Sequence, residues 1–296
     1  MKKLLLFIFF GLIFNQFPLE FNLIKSSGHL NRFDHNSVKG QIANNAVIDI
    51  KNLGDSLYFF GTGNGLSYGE ILNNSKIDFG YFSISNMPRG GNPALAVEGN
   101  TIAVSGVIDT AVATGTEPKG TGISYSTDQG ENWIYLPQPV DPDTAFFENY
   151  NFDQCFENDY EWNNVDSICY SNKSWIIPWG EQEIKSLLAS SEVDNVSYDL
   201  AIGGDYIYAA SWAGGLRRFG PIYSEQKSWQ IIPLPMDSDT NLMCGLIDLE
   251  TYELNPNDPI NGGNHNHKGF SVHVINDTIW AGTANGINKG ILESDC

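Results

Sequence analysis

The chain has 296 residues, 42% of them hydrophobic and only 17% charged, with 30 glycines. That length supports one large domain with a substantial core, and abundant glycine beside sparse charge suits many strands joined by tight turns. Its 35 acidic and 16 basic residues leave a formal charge of −19, which repels phosphate backbones and anionic lipid and so argues against nucleic-acid and membrane partners.

The N-terminus reads as an export address. Met1-Lys2-Lys3 is a positive start, and Leu4 to Phe14 is apolar apart from Gly11. This has the length and flanks of a secretory signal and is too short to span a bilayer. We assign residues 1–22 to the signal, with cleavage between Asn15 and Ser27. No cysteine follows the apolar run to carry a lipid anchor. The expectation is a secreted or cell-surface protein with no membrane insertion once the signal is removed.

From residue 23 onward the main feature is a local pattern that recurs four times. A short apolar strand meets a Gly/Asn/Asp turn, a second apolar strand ends in small residues, and Gly-Leu or Gly-Ile opens a third. The copies run from Val47-Ile48-Asp49-Ile50 to Gly65-Leu66, and from Ala94-Leu95-Ala96-Val97 to Gly122-Ile123. They continue from Tyr198 through Ile202 to Gly215-Leu216, and from Phe270 through Val274 to Gly286-Ile287. Asp55, Asn100, Asp205 and Asp277 mark the first turns, where positive φ is tolerated. Repetition of a small antiparallel unit predicts an all-β fold, a β-propeller of four-stranded antiparallel blades. The sequence stops soon after Gly286-Ile287, before that blade's outer strands. The expected propeller is therefore incomplete at its C-terminus, with later blades missing.

A second recurrence supports the first. Trp133 to Asp141 parallels Trp229 to Asp237, with Trp, the second Pro and Asp at equal spacing. This reads as an outer strand leaving one blade for the next, where proline is expected because it cannot donate to a ladder.

The widest interval between turn residues, Asn100 to Asp205, isolates residues 142–196 as an insertion within the 23–296 domain. It is rich in acidic and aromatic residues and reads as a loop or flap, with a strand at Ser174–Trp179 and a short helix at Glu183–Ser190. Long ordered insertions on a rigid β scaffold often carry binding. Glu253 to Lys268 reads as a second loop. The four cysteines allow three pairings. Cys155–Cys169 is preferred, as a staple for the irregular insertion in an oxidising compartment.

Ser126-Thr127-Asp128-Gln129-Gly130-Glu131-Asn132-Trp133 resembles the Asp-box, the S-x-D-x-G-x-x-W turn of bacterial neuraminidase-repeat propellers. Its signature positions are Ser126, Asp128, Gly130 and Trp133. The resemblance implies a structural role, away from the active face. Locally, Asp128 accepts backbone amides across the turn, Gly130 supplies a conformation a Cβ hinders, and Trp133 packs the turn onto its blade. Ile84 to Val97, followed by Gly99-Asn100-Thr101-Ile102, is similar to repeats in the extracellular propellers of bacterial two-component sensors. Together these cover most of residues 40–290 and point to exported bacterial propellers. Some of those carry a C-terminal secretion-sorting domain, which is absent here.

The residues assemble no catalytic set. A sialidase needs an arginine cluster, and the four arginines are Arg32, Arg89, Arg217 and Arg218. Arg217 and Arg218 are adjacent and face opposite ways on a strand. His265-Asn266-His267 has metal-ligating side chains but no third ligand nearby, so an exposed turn is the better reading and no metal or cofactor is assigned. Trp212, Arg217 and Arg218 form the candidate ligand surface, an aromatic beside a basic pair at the propeller mouth. The expected function is a non-catalytic binding or interaction scaffold for a protein or glycan. The alternatives are a glycan-processing, sialidase-like enzyme and the extracellular sensor of a bacterial signalling protein.

Overall fold

Alternating apolar side chains and glycine-bearing turns fold this chain into antiparallel sheets. The computed structural model describes residues 33, 36–72, 76–188, 191–243, 252–256 and 263–292. The signal segment, Cys244 and Cys296 lie outside them.

The first sheet contains β1 (Ser37–Lys39), β2 (Val47–Leu53), β3 (Leu57–Thr62), β4 (Gly65–Ile71) and β5 (Ile77–Phe82), in the order β1-β5-β4-β3-β2. The second is a meander of β6 (Leu95–Glu98), β7 (Thr101–Val112), β8 (Gly115–Ser126) and β9 (Ile134–Leu136). The third repeats it with β15 (Ser197–Gly203), β16 (Tyr206–Ser211), β17 (Gly215–Gly220) and β18 (Ser228–Ile232). The fourth has β20 (Gly269–Ile275), β21 (Thr278–Thr283) and β22 (Gly286–Ile291). Each first strand begins within a residue of the position that the sequence repeat marks.

One glycine position explains the Gly-Leu and Gly-Ile signature. Gly65, Gly215 and Gly286 open third strands, and Gly122 resumes the ladder inside β8 just past a bulge, all at positive φ, +107°, +68°, +127° and +107° in that order. Side chains with a Cβ rarely adopt that conformation, so glycine recurs there.

The four first strands lie side by side in the order β2, β6, β15, β20. Neighbouring sheets stack through apolar faces. Leu57, Phe59, Leu66 and Phe82 of the first meet Leu95, Ile102, Val104 and Trp133 of the second. Ala96, Ala103, Ile123 and Tyr125 of the second meet Leu200, Ile207, Ala209 and Phe219 of the third. Ala201, Tyr208, Ala210 and Leu216 of the third meet Val272 and Ala281 of the fourth. A middle sheet is thus buried on both faces, which is why Ile102-Ala103-Val104 and Ala209-Ala210 read as continuous apolar runs.

The turn between β8 and β9 is closed by its own side chains. Ser126 Oγ donates to Asp128 Oδ1 and accepts the Gly130 N–H, both at 2.8 Å. Asp128 also accepts the Asn132 N–H at 2.8 Å, and Trp133 Nε1 donates to the Gly130 carbonyl at 2.9 Å. Trp133 is buried edge-on against Phe82. Partial burial alone would raise the Asp128 pKa, but the donors from Asn132 and Ser126 outweigh it and hold the carboxyl below its ordinary value.

The described part of residues 142–196, expected as a loop or flap, contributes strands to two small sheets. β10 (Ala145–Phe147), β11 (Glu161–Asn163) and β12 (Ile168–Ser171) pair in the order β10-β12-β11. Helix α1 (Phe152–Glu157) lies between β10 and β11, started by a capping box of Asn151 and Gln154. Cys155 on α1 bonds Cys169 on β12, with Cα atoms 5.6 Å apart. β13 (Ser174–Trp179) and β14 (Gln182–Leu187) form the second sheet with the short β19 (Glu253–Leu254). The helix expected at Glu183–Ser190 is a strand over its described residues to Leu187. Ile184 and Ser186 point inward while Glu183 and Lys185 face solvent, and this two-residue period pairs β14 with β13. β19 and a 3-10 turn at His265–His267 likewise replace part of the loop expected at 253–268.

Candidate functional site

Among the described residues, the β7–β8 hairpin extension and the insertion leave the sheets at one end. The turns β3–β4, β16–β17 and β21–β22 lie there, and so does the extended β7–β8 hairpin. The insertion departs beyond Leu136 and returns beside the base of that hairpin, where Gly120 N–H donates to the Glu192 carbonyl and Lys119 pairs with Glu192. The opposite end carries short turns such as 54–56, 204–205 and 276–277, together with Ser126–Trp133.

At the elaborated end the inner strands bulge. The register shifts between Val47 and Asp49, between Ser197 and Asp199, and between Gly269 and Ser271. A bulge leaves one residue outside the ladder and re-aims its side chain. The residues so placed are Ile48, Tyr198 and Phe270, and all three are exposed. Tyr198 and Phe270 rings lie 6.2 Å apart, Trp212 meets Phe270 edge-on at 5.3 Å, and Lys268 Nζ sits 4.7 Å over the Trp212 ring. Burial, and then the carboxylate of Asp194, push the Tyr198 hydroxyl pKa up, so the ring stays neutral. The group is an aromatic platform of Tyr198, Phe270 and the half-buried Trp212, with the buried Lys268 ammonium packed on the Trp212 ring, suited to stacking against an apolar ring face.

Trp212 belongs to this platform, but Arg217 and Arg218 do not. Arg217 is buried and donates from Nη2 to Asp141 Oδ1 at 2.7 Å and from Nε to the Gly214 carbonyl at 2.9 Å. Arg218 points to the other face of β17, stacks over Tyr206 at 4.7 Å and donates to Gln230 at 2.8 Å. The three residues therefore do not converge on one surface. The Trp133 and Trp229 recurrence explains Arg217: each run ends in an aspartate that holds a later segment. Asp141 takes Arg217, while Asp237 accepts the N–H groups of His265 and Asn266 at 2.9 and 2.7 Å.

His265 and His267 do not share a site. His265 is exposed beside Asp237. His267 is fully buried, accepts the Asn255 N–H on Nδ1 and meets the Leu234 carbonyl with Nε2, both at 2.9 Å. Desolvation lowers its pKa to about 4, against weaker raising effects from the Leu234 carbonyl and Asp237. Among the described residues no group of three or more His, Cys, Asp or Glu is placed to hold a metal ion, and no helix is long and apolar enough to cross a membrane.

Exposed aromatics also lie on the insertion. Phe152 and Phe156 of α1 are exposed, Phe156 at 77%, on the Cys169 side of the small sheet, and Phe146 is exposed on the opposite side beside Tyr170. An open cleft of about 300 Å³ is lined by Phe146, Phe147, Tyr150 and Ile176 with Glu148 and Glu183. The disulfide holds α1 against β12.

Sequence reasoning passed over one repeated residue. Asn44, Asn92, Asn195 and Asn266 each stand shortly before a first strand. Asn195 and Asn266 donate from Nδ2 to the Pro139 and Pro235 carbonyls at 2.9 Å. Their Oδ1 atoms accept the hydroxyls of Ser211 and Thr283. The recurring asparagine was the available signal.

No protein-family model and no curated protein matches the chain. Among solved structures, the computationally designed Ika4 protein aligns at 9% identity over 92% of this chain and 98% of its own, with a TM-score of 0.37. The designed Ika8 protein aligns at 11% identity over 82% of this chain and 58% of its own, with a TM-score of 0.31. The extracellular domain of a hybrid two-component system from B. thetaiotaomicron aligns at 12% identity over 82% of this chain, with a TM-score of 0.23. This chain spans 32% of that domain's length.

Proposed function

We propose that this chain is an exported, non-catalytic β-propeller scaffold whose blades are the four stacked sheets, and that it binds a protein or glycan at the elaborated end. One observation carries the reading: the long hairpin, the insertion and the bulged aromatic platform are gathered at one end, while the described connections at the other end are of seven residues or fewer. Concentrating variable segments on one side of a rigid β scaffold is how binding surfaces are built. The aromatic platform supplies contact area with little side-chain entropy to lose, and the buried Lys268 props the Trp212 ring.

The competing reading is a glycoside hydrolase, which needs a pair of carboxyl groups flanking a bound sugar. The test is turnover by the purified chain on a panel of 4-methylumbelliferyl glycosides, sialoside included. The scaffold reading expects no turnover above a heat-denatured control. Hydrolysis abolished by substituting a single Asp or Glu contradicts it.

A further inference from the structure

Among the described residues the row of four sheets ends in two open faces, and each carries apolar side chains at positions that are buried at the joints inside the row, beside exposed polar ones such as His273 and Lys289 on the last sheet. Ile50, Leu95, Leu200 and Val272 occupy one position, each paired with its second strand at Phe60, Val104, Ala209 or Ala281. Leu95, Leu200 and Val272 are buried by the preceding sheet, whereas Ile50 is 55% exposed. The opposite face repeats the contrast. Leu66, Ile123, Leu216 and Ile287 each follow a positive-φ glycine of a third strand. The first three are buried by the following sheet, whereas Ile287 is 78% exposed. Ile77 accompanies Ile50 on the first outer face, and Trp280, Ile275 and Ile291 accompany Ile287 on the last.

We propose that a second copy of this chain covers both faces, the last sheet of each copy packing on the first sheet of the other, so that two rows close into one ring. The inference rests on reading the sheets as blades, not on what the elaborated end binds. Its warrant is continuity with the three joints inside the chain, where the leading face of one sheet already packs on the trailing face of the next. A head-to-tail contact of this type generates a closed ring when its rotation permits.

The polar edge of the joint fits as well. At the first and third joints Asp49 and Asp199 reach across to the next sheet's Leu95 and Val272 amides. At the second joint Ala94 stands in that place, and the Leu200 amide is satisfied by its own neighbour, Asp199 Oδ1, at 2.9 Å. The new joint would set Ser271 against Ile50, whose amide is already accepted by Asp49 Oδ1 at 2.8 Å. It thus reproduces the second joint and leaves the Ile50 amide satisfied. Burial of exposed isoleucine and tryptophan supplies the driving force, roughly 25 cal/mol per Å² of apolar surface.

The test is the solution mass of the exported chain by light scattering on a sizing column at micromolar concentration, with Ile50→Asp and Ile287→Asp as single variants. The expected results are twice the monomer mass for the parent chain and monomer mass for each variant alone, with unchanged circular dichroism. Mixing the two variants gives one joint with both faces intact and one with both substituted, so dimer mass should return through the intact joint. A monomeric parent chain overturns the proposal and assigns the faces to a different occupant. Loss of dimer in only one variant, no recovery on mixing, or an open-ended polymer also overturns it.

Discussion

Asp199 on β15 accepts the backbone N–H of Val272 on β20 at 3.0 Å, and Asp49 on β2 accepts that of Leu95 on β6 at the same distance. The two carboxylates occupy equivalent positions one residue past a strand bulge, and each also takes the amide that follows it in its own strand. One side chain therefore joins two sheets at the inner edge of the row. Desolvation raises the Asp199 pKa even though those two amides pull the other way, so the cost of burying the charge is not fully offset.

Replacing either clamp removes an acceptor from amides that have no ladder partner there. Asp49→Ala and Asp199→Ala should each lower unfolding stability by about 1–3 kcal/mol, with the asparagine variants losing less because one oxygen remains. Urea unfolding reads this directly. Losses below about 0.5 kcal/mol in both alanine variants would show that the clamps do not hold the sheets.

Arg217 and Arg218 are adjacent and should behave in opposite ways. Arg217 is buried with Asp141, so Arg217→Ala strands a buried carboxylate and should cost about 3–5 kcal/mol. Arg218→Ala loses a stack on Tyr206 and a bond to Gln230 at the surface, and should cost under about 1 kcal/mol. Thermal unfolding of the two variants checks the order, and equal effects would contradict it.

His267 links stability to acid. Its folded pKa is about 4, below the value of about 6.5 for an unfolded histidine. Between those values the unfolded chain binds the extra proton, so stability is intact above about pH 6.5 and falls as pH drops towards 4, by about 3 kcal/mol in total. The stability difference between the parent chain and His267→Gln, followed by urea unfolding from pH 7 to pH 4, should shrink across that window. A constant difference would contradict the buried neutral imidazole.

The Cys155–Cys169 bond closes a segment with a separation of 14 residues. A loop of that size gains about 3 kcal/mol from cross-linking. Reduction, or a Cys155→Ser/Cys169→Ser chain, should open the 145–171 sheet to protease while the four larger sheets stay protected. Mass spectrometry of limited digests would show first cuts within 145–171, and first cuts elsewhere would contradict a local staple.

The strands were legible because local patterns dictate them. Apolar alternation, the turns at Asp205 and Asp277 and the glycines at 65, 122, 215 and 286 located the first three strands of each large sheet. The insertion's helix was hidden because Asn151 and Gln154 cap it among aromatics that also suit strands. The platform was hidden because its members come from different strands. Tyr198 and Phe270 reach the surface only through bulges, which single-strand periodicity does not reveal, and Lys268 meets Trp212 only after the third and fourth sheets stack. Arg217 looked available for a ligand because its partner, Asp141, lies 76 residues earlier.

The most direct measurement of the binding claim is saturable binding of the chain to a printed panel of glycans and cationic peptides, compared among three variants. The account predicts that binding is lost with Trp212→Ala/Phe270→Ala or with Phe152→Ser/Phe156→Ser. It also predicts that binding survives Tyr223→Ser, which alters an exposed residue in the β17–β18 turn at the opposite end. Binding untouched by both elaborated-end variants but lost with Tyr223→Ser would contradict it.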